Sequence, residues 1–227
     1  MFPTKSTLYI LPLLYILAIT TAFSICANEV SKSKIVSHNI EIELFLKEHK
    51  LKAIDHLLVP YENSERVSCF LNKSFQVLSV SSSNRKLDFK VASNGDGQRL
   101  EITIPSDLRQ SDSVILDIAY EGYLFEKHIS QEKEDVGETT GIISEEGVYL
   151  SPACMWYPDI PNSLSTFRVT IVTPTGYEAV MQGTLVSKKS DTDKIYTTWE
   201  EKNVSEDCHL VAGRYKVTSI KHNGIDI

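Results

Sequence analysis

Ile40-Glu41-Ile42-Glu43-Leu44-Phe45-Leu46 carries an aliphatic side chain at every second position, with Glu41, Glu43 and Phe45 between. Successive side chains of an extended strand point to opposite faces, so Ile40, Ile42, Leu44 and Leu46 share one face and the glutamates the other. A helix would scatter the same residues around its circumference; the stretch reads as a half-buried β-strand. Just downstream, Leu51, Ala53, Leu57 and Val59 alternate with Lys52, Ile54 and Leu58. The same period recurs at 75–80, 86–91, 100–104, 114–120, 167–172, 177–186, 195–200 and 215–220. No window of a dozen residues carries an i, i+3, i+4, i+7 stripe.

Turn-forming residues fall between these runs: Pro60 to Ser64, Ser81 to Asn84, Pro105-Ser106-Asp107 and Thr173-Pro174-Thr175-Gly176. Asn94-Gly95-Asp96-Gly97 holds residues that accept positive φ and predicts a tight hairpin. Roughly ten short strands separated by such turns predict an all-β fold, an antiparallel β-sandwich or a curved, partly open sheet.

Residues 1–27 stand apart. Lys5 is the only charge before Glu29, and Leu8 to Ile19 is an almost unbroken apolar run followed by Thr20, Thr21, Ala22, Ser24 and Ala27. A short basic start, an apolar centre and a small-residue end form the layout of a secretory signal peptide, cleaved after Ala27 or, alternatively, after Ala22. An uncleaved anchor over Ser6 to Ala27 and a lipoprotein acylated at Cys26 are the other two readings. All three export the chain to a secreted, periplasmic or outer-surface location, and any membrane contact runs through this segment. Residues 28–227 then make one domain.

The whole chain of 227 residues is 42% hydrophobic and 23% charged, with 10 Gly and 8 Pro, which excludes a disordered or fibrous polymer. Thirty acidic against 23 basic side chains give a net charge of −7, so the cationic surplus that binds nucleic acid is missing. The densest acidic run, Gln131 to Glu138, reads as a solvated loop inside an irregular region from Phe125 to Gly147. Besides Cys26, the chain holds Cys69, Cys154 and Cys208, an odd set that allows at most one disulfide and leaves its pairing open. No C-x-x-C, H-E-x-x-H, G-x-S-x-G, P-loop or dinucleotide fingerprint is present. Two glycosylation sequons, Asn72-Lys73-Ser74 and Asn203-Val204-Ser205, carry weight in a glycosylating host.

Gly147 to Gly183 concentrates aromatics and prolines. Tyr149, Trp156 and Tyr157 are either an aromatic binding surface or the lining of a rigid corner in which Pro158 and Pro161 fix φ. Trp156-Tyr157-Pro158-Asp159-x-Pro161-x-x-Leu164-x-x-Phe167-x-Val169, then Pro174-x-Gly176-Tyr177, Gln182-Gly183 and Ala212-Gly213-Arg214-Tyr215, resembles the amino-terminal domain of the aminopeptidase N family of zinc metallopeptidases. The likeness runs in order from about residue 36 to 223.

That resemblance implies a saddle-like antiparallel β-domain preceding a thermolysin-like zinc domain. The family's zinc ligands and general base belong to that second domain, so no catalytic, cofactor-binding or metal-binding residue is expected in this chain, and zinc is expected only in the absent domain. The resemblance also implies a loop reaching toward the substrate around Tyr149 to Pro152, where the family commonly carries a Gln or Glu. Tyr149-Leu150-Ser151-Pro152 lacks that pair, so the candidate surface or substrate-side residues are Tyr149, Ser151, Trp156 and Tyr157, without a role in amine recognition.

The leading expectation is a non-catalytic domain, a fragment or split part of an exported peptidase, packing on a catalytic domain in the same or another chain and meeting peptide substrate only indirectly. One alternative is an independent secreted binding module for peptide or carbohydrate, using the aromatic cluster or Trp199. Another is a self-contained hydrolase with an unrecognised site.

Overall fold

The computed structural model describes residues 34–60, 64–95, 97–110, 112–125, 140–216, 218, 221–222 and 225–226. Residues 1–27, expected above to be an export signal, and the acidic run Gln131 to Glu138 lie outside the described residues. The first eight strands are β1 (Lys34–Phe45), β2 (Lys50–Pro60), β3 (Arg66–Asn72), β4 (Phe75–Ser82), β5 (Arg85–Lys86), β6 (Phe89–Asn94), β7 (Gly97–Thr103) and β8 (Ser113–Tyr123). After them come β9 (Gly141–Ile143), β10 (Val148–Leu150), β11 (Ser163–Pro174), β12 (Glu178–Met181), β13 (Thr184–Ser190), β14 (Lys194–Ser205), β15 (Leu210–Gly213), β16 (Lys221–His222) and β17 (Ile225–Asp226). Among the described residues the only helical turns are 3-10 turns at Ser106–Gln110 and Pro152–Cys154.

Eight strands form one large sheet in the order β13-β14-β11-β1-β2-β8-β4-β5. A four-stranded sheet, β12-β15-β10-β9, and a three-stranded sheet, β3-β7-β6, supply further side chains to the same core, and β16 and β17 pair as a short ribbon. Alternation assigns the faces of the large sheet as expected. Ile40, Ile42 and Leu44 of β1, Leu51, Ala53, Leu57 and Val59 of β2, Leu116, Ile118 and Tyr120 of β8, and Phe167, Val169 and Ile171 of β11 are buried. Each Val, Leu, Ile or Phe side chain so removed from water stabilises the fold by roughly 1.5–3 kcal/mol. Glu41, Lys52 and Arg168 lie on the opposite, open face.

The all-β architecture is as expected; its pairing is not antiparallel throughout. β1 and β11 run parallel, in register from Lys34↔Ser163 to Glu43↔Val172. β1 uses one edge for its hairpin partner β2, and its other edge is filled by a strand that arrives after nine others, a connection long enough to return in either direction. Alternation reports which face a residue occupies and carries no information on the direction of a distant partner.

Two expected runs also divide. Residues 177–186 become β12 in the small sheet and β13 in the large one, separated at Gly183, whose φ is +95° and whose absent Cβ would lie 2.3 Å from the Glu200 carbonyl oxygen. Residues 86–91 break at Leu87-Asp88 between β5 and β6. Strands β9, β10 and β15 lay outside the runs because three or four residues hold too few alternations to register, and β3, whose Val67, Cys69 and Leu71 do alternate, was missed. The Asn94-to-Gly97 hairpin forms as predicted, with Gly95 at φ +60° and Asn94 paired to Gly97.

Cys69, Cys154 and Cys208 are all buried, and no disulfide joins them. One polar pair is sealed in the core: His38 Nδ1 lies 2.7 Å from Asp55 Oδ2, with relative exposures of 1% and 0%. The second carboxylate oxygen, Oδ1, has no hydrogen-bond partner among the described residues.

Candidate functional site

Strand β10 places Tyr149 opposite both Val211 of β15 and Ile142 of β9. Val148 and Leu150, one residue either side, point into the core, so parity turns the Tyr149 ring outward. Its ring centroid lies 6.4 Å from that of His209, tilted by 31°. Tyr149, Ser151, Pro152, Thr140, Asp207 and His209 line an open depression of ≈ 600 Å³. Gln182 holds its far wall: Oε1 accepts from the His209 backbone N–H at 2.9 Å, and Nε2 donates to the Asp207 carbonyl.

Ser151 lies at the floor and is already committed. Its Oγ donates to the Thr140 carbonyl at 2.8 Å, and its backbone N–H donates to the same oxygen at 3.0 Å. A hydroxyl already donating to a backbone carbonyl serves as a structural latch.

Past Ser151 the chain turns sharply. The Pro152–Cys154 turn ends at Met155, whose left-handed φ of 49° reverses the backbone and drives the next residues inward. Trp156 is 0% exposed and Tyr157 3%. Trp156 Nε1 donates to the Cys208 carbonyl at 3.1 Å, and the Trp156 carbonyl accepts from the Tyr120 hydroxyl at 3.0 Å. Tyr157 meets Trp156, Phe167 and His38 edge-on at 5.0, 5.3 and 5.3 Å, while His38 stacks on Phe167 at 4.9 Å. Burial pushes the Tyr157 hydroxyl well above its ordinary range, partly offset by a hydrogen bond with the Cys208 backbone. Phe70 and Asp159 exchange two backbone hydrogen bonds of 2.8 and 2.9 Å, zipping the corner to β3.

An aromatic surface of Tyr149, Trp156 and Tyr157 therefore does not form. Trp156 and Tyr157 line the core, as the rigid-corner reading required, and Tyr149 alone of the three reaches solvent. Trp199 is half-buried, its Nε1 donating to the Ala179 carbonyl at 3.1 Å. The reading of the residues missed His209 and Asp207, which reach the depression only through the pairing of β10 with β15. A second cleft, ≈ 460 Å³, opens where the β1–β2 turn meets the ends of β11 and β15; there Arg214 lies 5.1 Å from the Tyr177 ring centroid.

A zinc centre needs three or four His, Cys, Asp or Glu ligands converging within about 2.0–2.3 Å of one point. Among the described residues no three such side chains converge. Burial raises the thiols of Cys69 and Cys208 far above the range in which a thiolate forms, and the Asp55 charge adds to the shift. Buried neutral thiols of this kind are inert packing groups.

The family model for the peptidase M1 N-terminal domain matches residues 34–205. Among solved structures, the fold is similar to an M1 zinc metallopeptidase from Deinococcus radiodurans, with a TM-score of 0.64 and 16% identity over 81% of this chain and 43% of that one. A mutant of the Deinococcus enzyme bound to a Tyr-Ser-Ala substrate gives 0.65 and 15%, over 86% and 46%. Native yeast LTA4 hydrolase gives 0.56 and 16%, over 83% and 29%. The present chain thus spans less than half the length of each of these proteins. No curated protein matches the sequence.

Proposed function

The chain belongs to the peptidase M1 N-terminal domain family, and from that premise we propose that it is the non-catalytic β-structured part of an exported zinc aminopeptidase-like protein. It packs on a catalytic peptidase domain, in the same chain or a separate one, and the Tyr149 edge of its four-stranded sheet shapes the approach of peptides to that domain. The observation that carries this reading is the family match across 34–205. Its extent supports it too: the shared fold corresponds to less than half of each zinc peptidase compared. Among the described residues no three side chains converge to hold a zinc ion; in this reading metal-assisted hydrolysis is assigned to the partner domain. Within the N-terminal domain, Ser151 and the buried Trp156 corner hold the Tyr149 edge in place, and the depression beside His209 is its open face.

Purified protein incubated with aminoacyl-arylamide substrates and added zinc is expected to release no arylamine above a blank, and to retain no stoichiometric zinc by elemental analysis after desalting. Turnover accompanied by one bound zinc per chain would show a metal site of its own and overturn the assignment.

A further inference from the structure

Asn72-Lys73-Ser74 and Asn203-Val204-Ser205 satisfy the same acceptor pattern for N-linked oligosaccharide, yet the fold treats them oppositely. Asn72 closes β3 with both ends of its amide engaged. Nδ2 donates to the Cys154 carbonyl at 2.8 Å, and Oδ1 accepts from the Ser74 backbone N–H at 2.9 Å. Ser74 Oγ in turn donates to the Tyr123 carbonyl at 2.6 Å. The half-buried Asn72 nitrogen therefore pins the β3–β4 turn to the corner that carries Trp156, and a sugar on it would stand where that corner packs.

Asn203 has the reverse setting. β13 accompanies β14 only from Ser190↔Ile195 to Thr184↔Glu200, so the last residues of β14 outrun it and, among the described residues, pair with no strand on that side. On the other side the β11 register shifts between Ser165 and Phe167, opposite this same stretch. Lys202, Asn203 and Val204 are consecutively exposed, which a strand allows only where neither face is covered. The Asn203 backbone N–H is held by Glu201 Oε1 at 2.8 Å, while its side-chain amide makes no hydrogen bond among the described residues.

We propose that Asn203 is an N-glycan acceptor and that Asn72 is not. The proposal rests on the export reading, because the donor, a lipid-pyrophosphate-linked oligosaccharide, and its transferase act in a secretory compartment. Asn203 Nδ2 forms a bond to the anomeric carbon of the oligosaccharide, the bond from that carbon to the pyrophosphate oxygen breaks, and the amide loses one proton as the lipid pyrophosphate leaves. No oxidant or reductant takes part. The glycan covers the outrunning end of β14, where Val204 is 46% exposed, next to an edge strand presenting Leu185 and Val186 at 44% each. An open sheet edge with apolar side chains templates association with other chains, and a hydrated glycan blocks that approach.

The test is expression of the full chain in a glycosylating secretory host, once behind its own residues 1–33 and once with an added host signal. The expected result is one glycan, removed by peptide N-glycosidase, with the enzymatic Asn-to-Asp conversion mapped by mass spectrometry in isotopic water to 203 and not to 72. N203Q and, independently, S205A are expected to abolish the mobility shift. Occupancy of Asn72, or of neither site in secreted folded protein, overturns the proposal. Glycan at Asn203 only in the arm with the added signal upholds the site and overturns the export reading instead.

Discussion

In the ladder of β1, β2, β8 and β11, a residue's parity decides whether it is buried; in the corner from Val148 to Asp159, parity stops deciding anything after Leu150. Ile40, Leu51, Leu116 and Val169 all lie in the core because each is in phase with its strand. Tyr149 and Trp156 are both large aromatics on one short segment, yet one faces water and the other is 0% exposed. What separates them is a 3-10 turn, a left-handed Met155 and a carbonyl acceptor on Cys208, a residue distant in sequence. The ladder tolerates local error because many equivalent contacts share the load. The corner concentrates its stability in a few directional bonds, and it is the part that holds the Tyr149 edge.

Removing the anchor of the corner is expected to have the largest effect. Trp156→Ala empties a buried indole site and orphans the Cys208 carbonyl, at a cost of about 3–5 kcal/mol in urea unfolding. Tyr149→Ala on the same segment is expected to stay within about 0.5 kcal/mol of the parent. Equal losses for the two would erase the distinction between corner and edge.

The ladder has a fully buried polar pair of its own, His38 and Asp55, and Asp55→Ala probes it. Losing the carboxylate leaves the buried His38 ring without its partner, and a buried polar group orphaned in this way costs about 1–3 kcal/mol. A loss under about 1 kcal/mol would mean that packing alone carries this part of the ladder.

A smaller, graded effect comes from alkali. Burial raises Cys69, Cys208, Tyr120 and Tyr157 above their ordinary values. Once pH passes the usual thiol value of 9.0, the unfolded chain releases protons that the folded chain keeps. The unfolded state then binds fewer protons, so stability falls with rising pH. Urea midpoints are expected to hold steady from about pH 7 to 8 and decline from about pH 9 upward. Cys208→Ala, which removes one of these groups from the corner, is expected to make the decline shallower; an unchanged slope would place the titration elsewhere.

Much of the fold was legible because alternation is local. The faces of β1, β2, β8 and β11 follow from spacing, and the Asn94-Gly95 turn follows from the need for positive φ. The parallel pairing of β1 with β11 was not legible, since hydrophobic period is blind to chain direction. Gly183 stood inside an alternating run, and only the approach of the Glu200 carbonyl shows why the run breaks there. At the candidate site, Tyr149 was a named candidate, but the short strand β10 that turns it outward lay outside the alternating runs. Neighbouring His209 and Asp207 were not legible, because β15 brings them from far along the chain.

Order along the chain, taken residue by residue, determined that this protein is built of β-strands, which side chains of its long strands face the core, and the motif succession by which it resembles an aminopeptidase N-type domain. Period and turn chemistry act between near neighbours, so one dimension is enough to encode them. Tertiary structure alone decided which strands pair and in which direction, that Trp156 and Tyr157 are core while Tyr149 is surface, and that of two identical sequons only Asn203 is open. Those outcomes depend on hydrogen-bond acceptors and strand ends contributed by distant segments, such as Cys208 for Trp156, Cys154 for Asn72 and the end of β13 for Asn203.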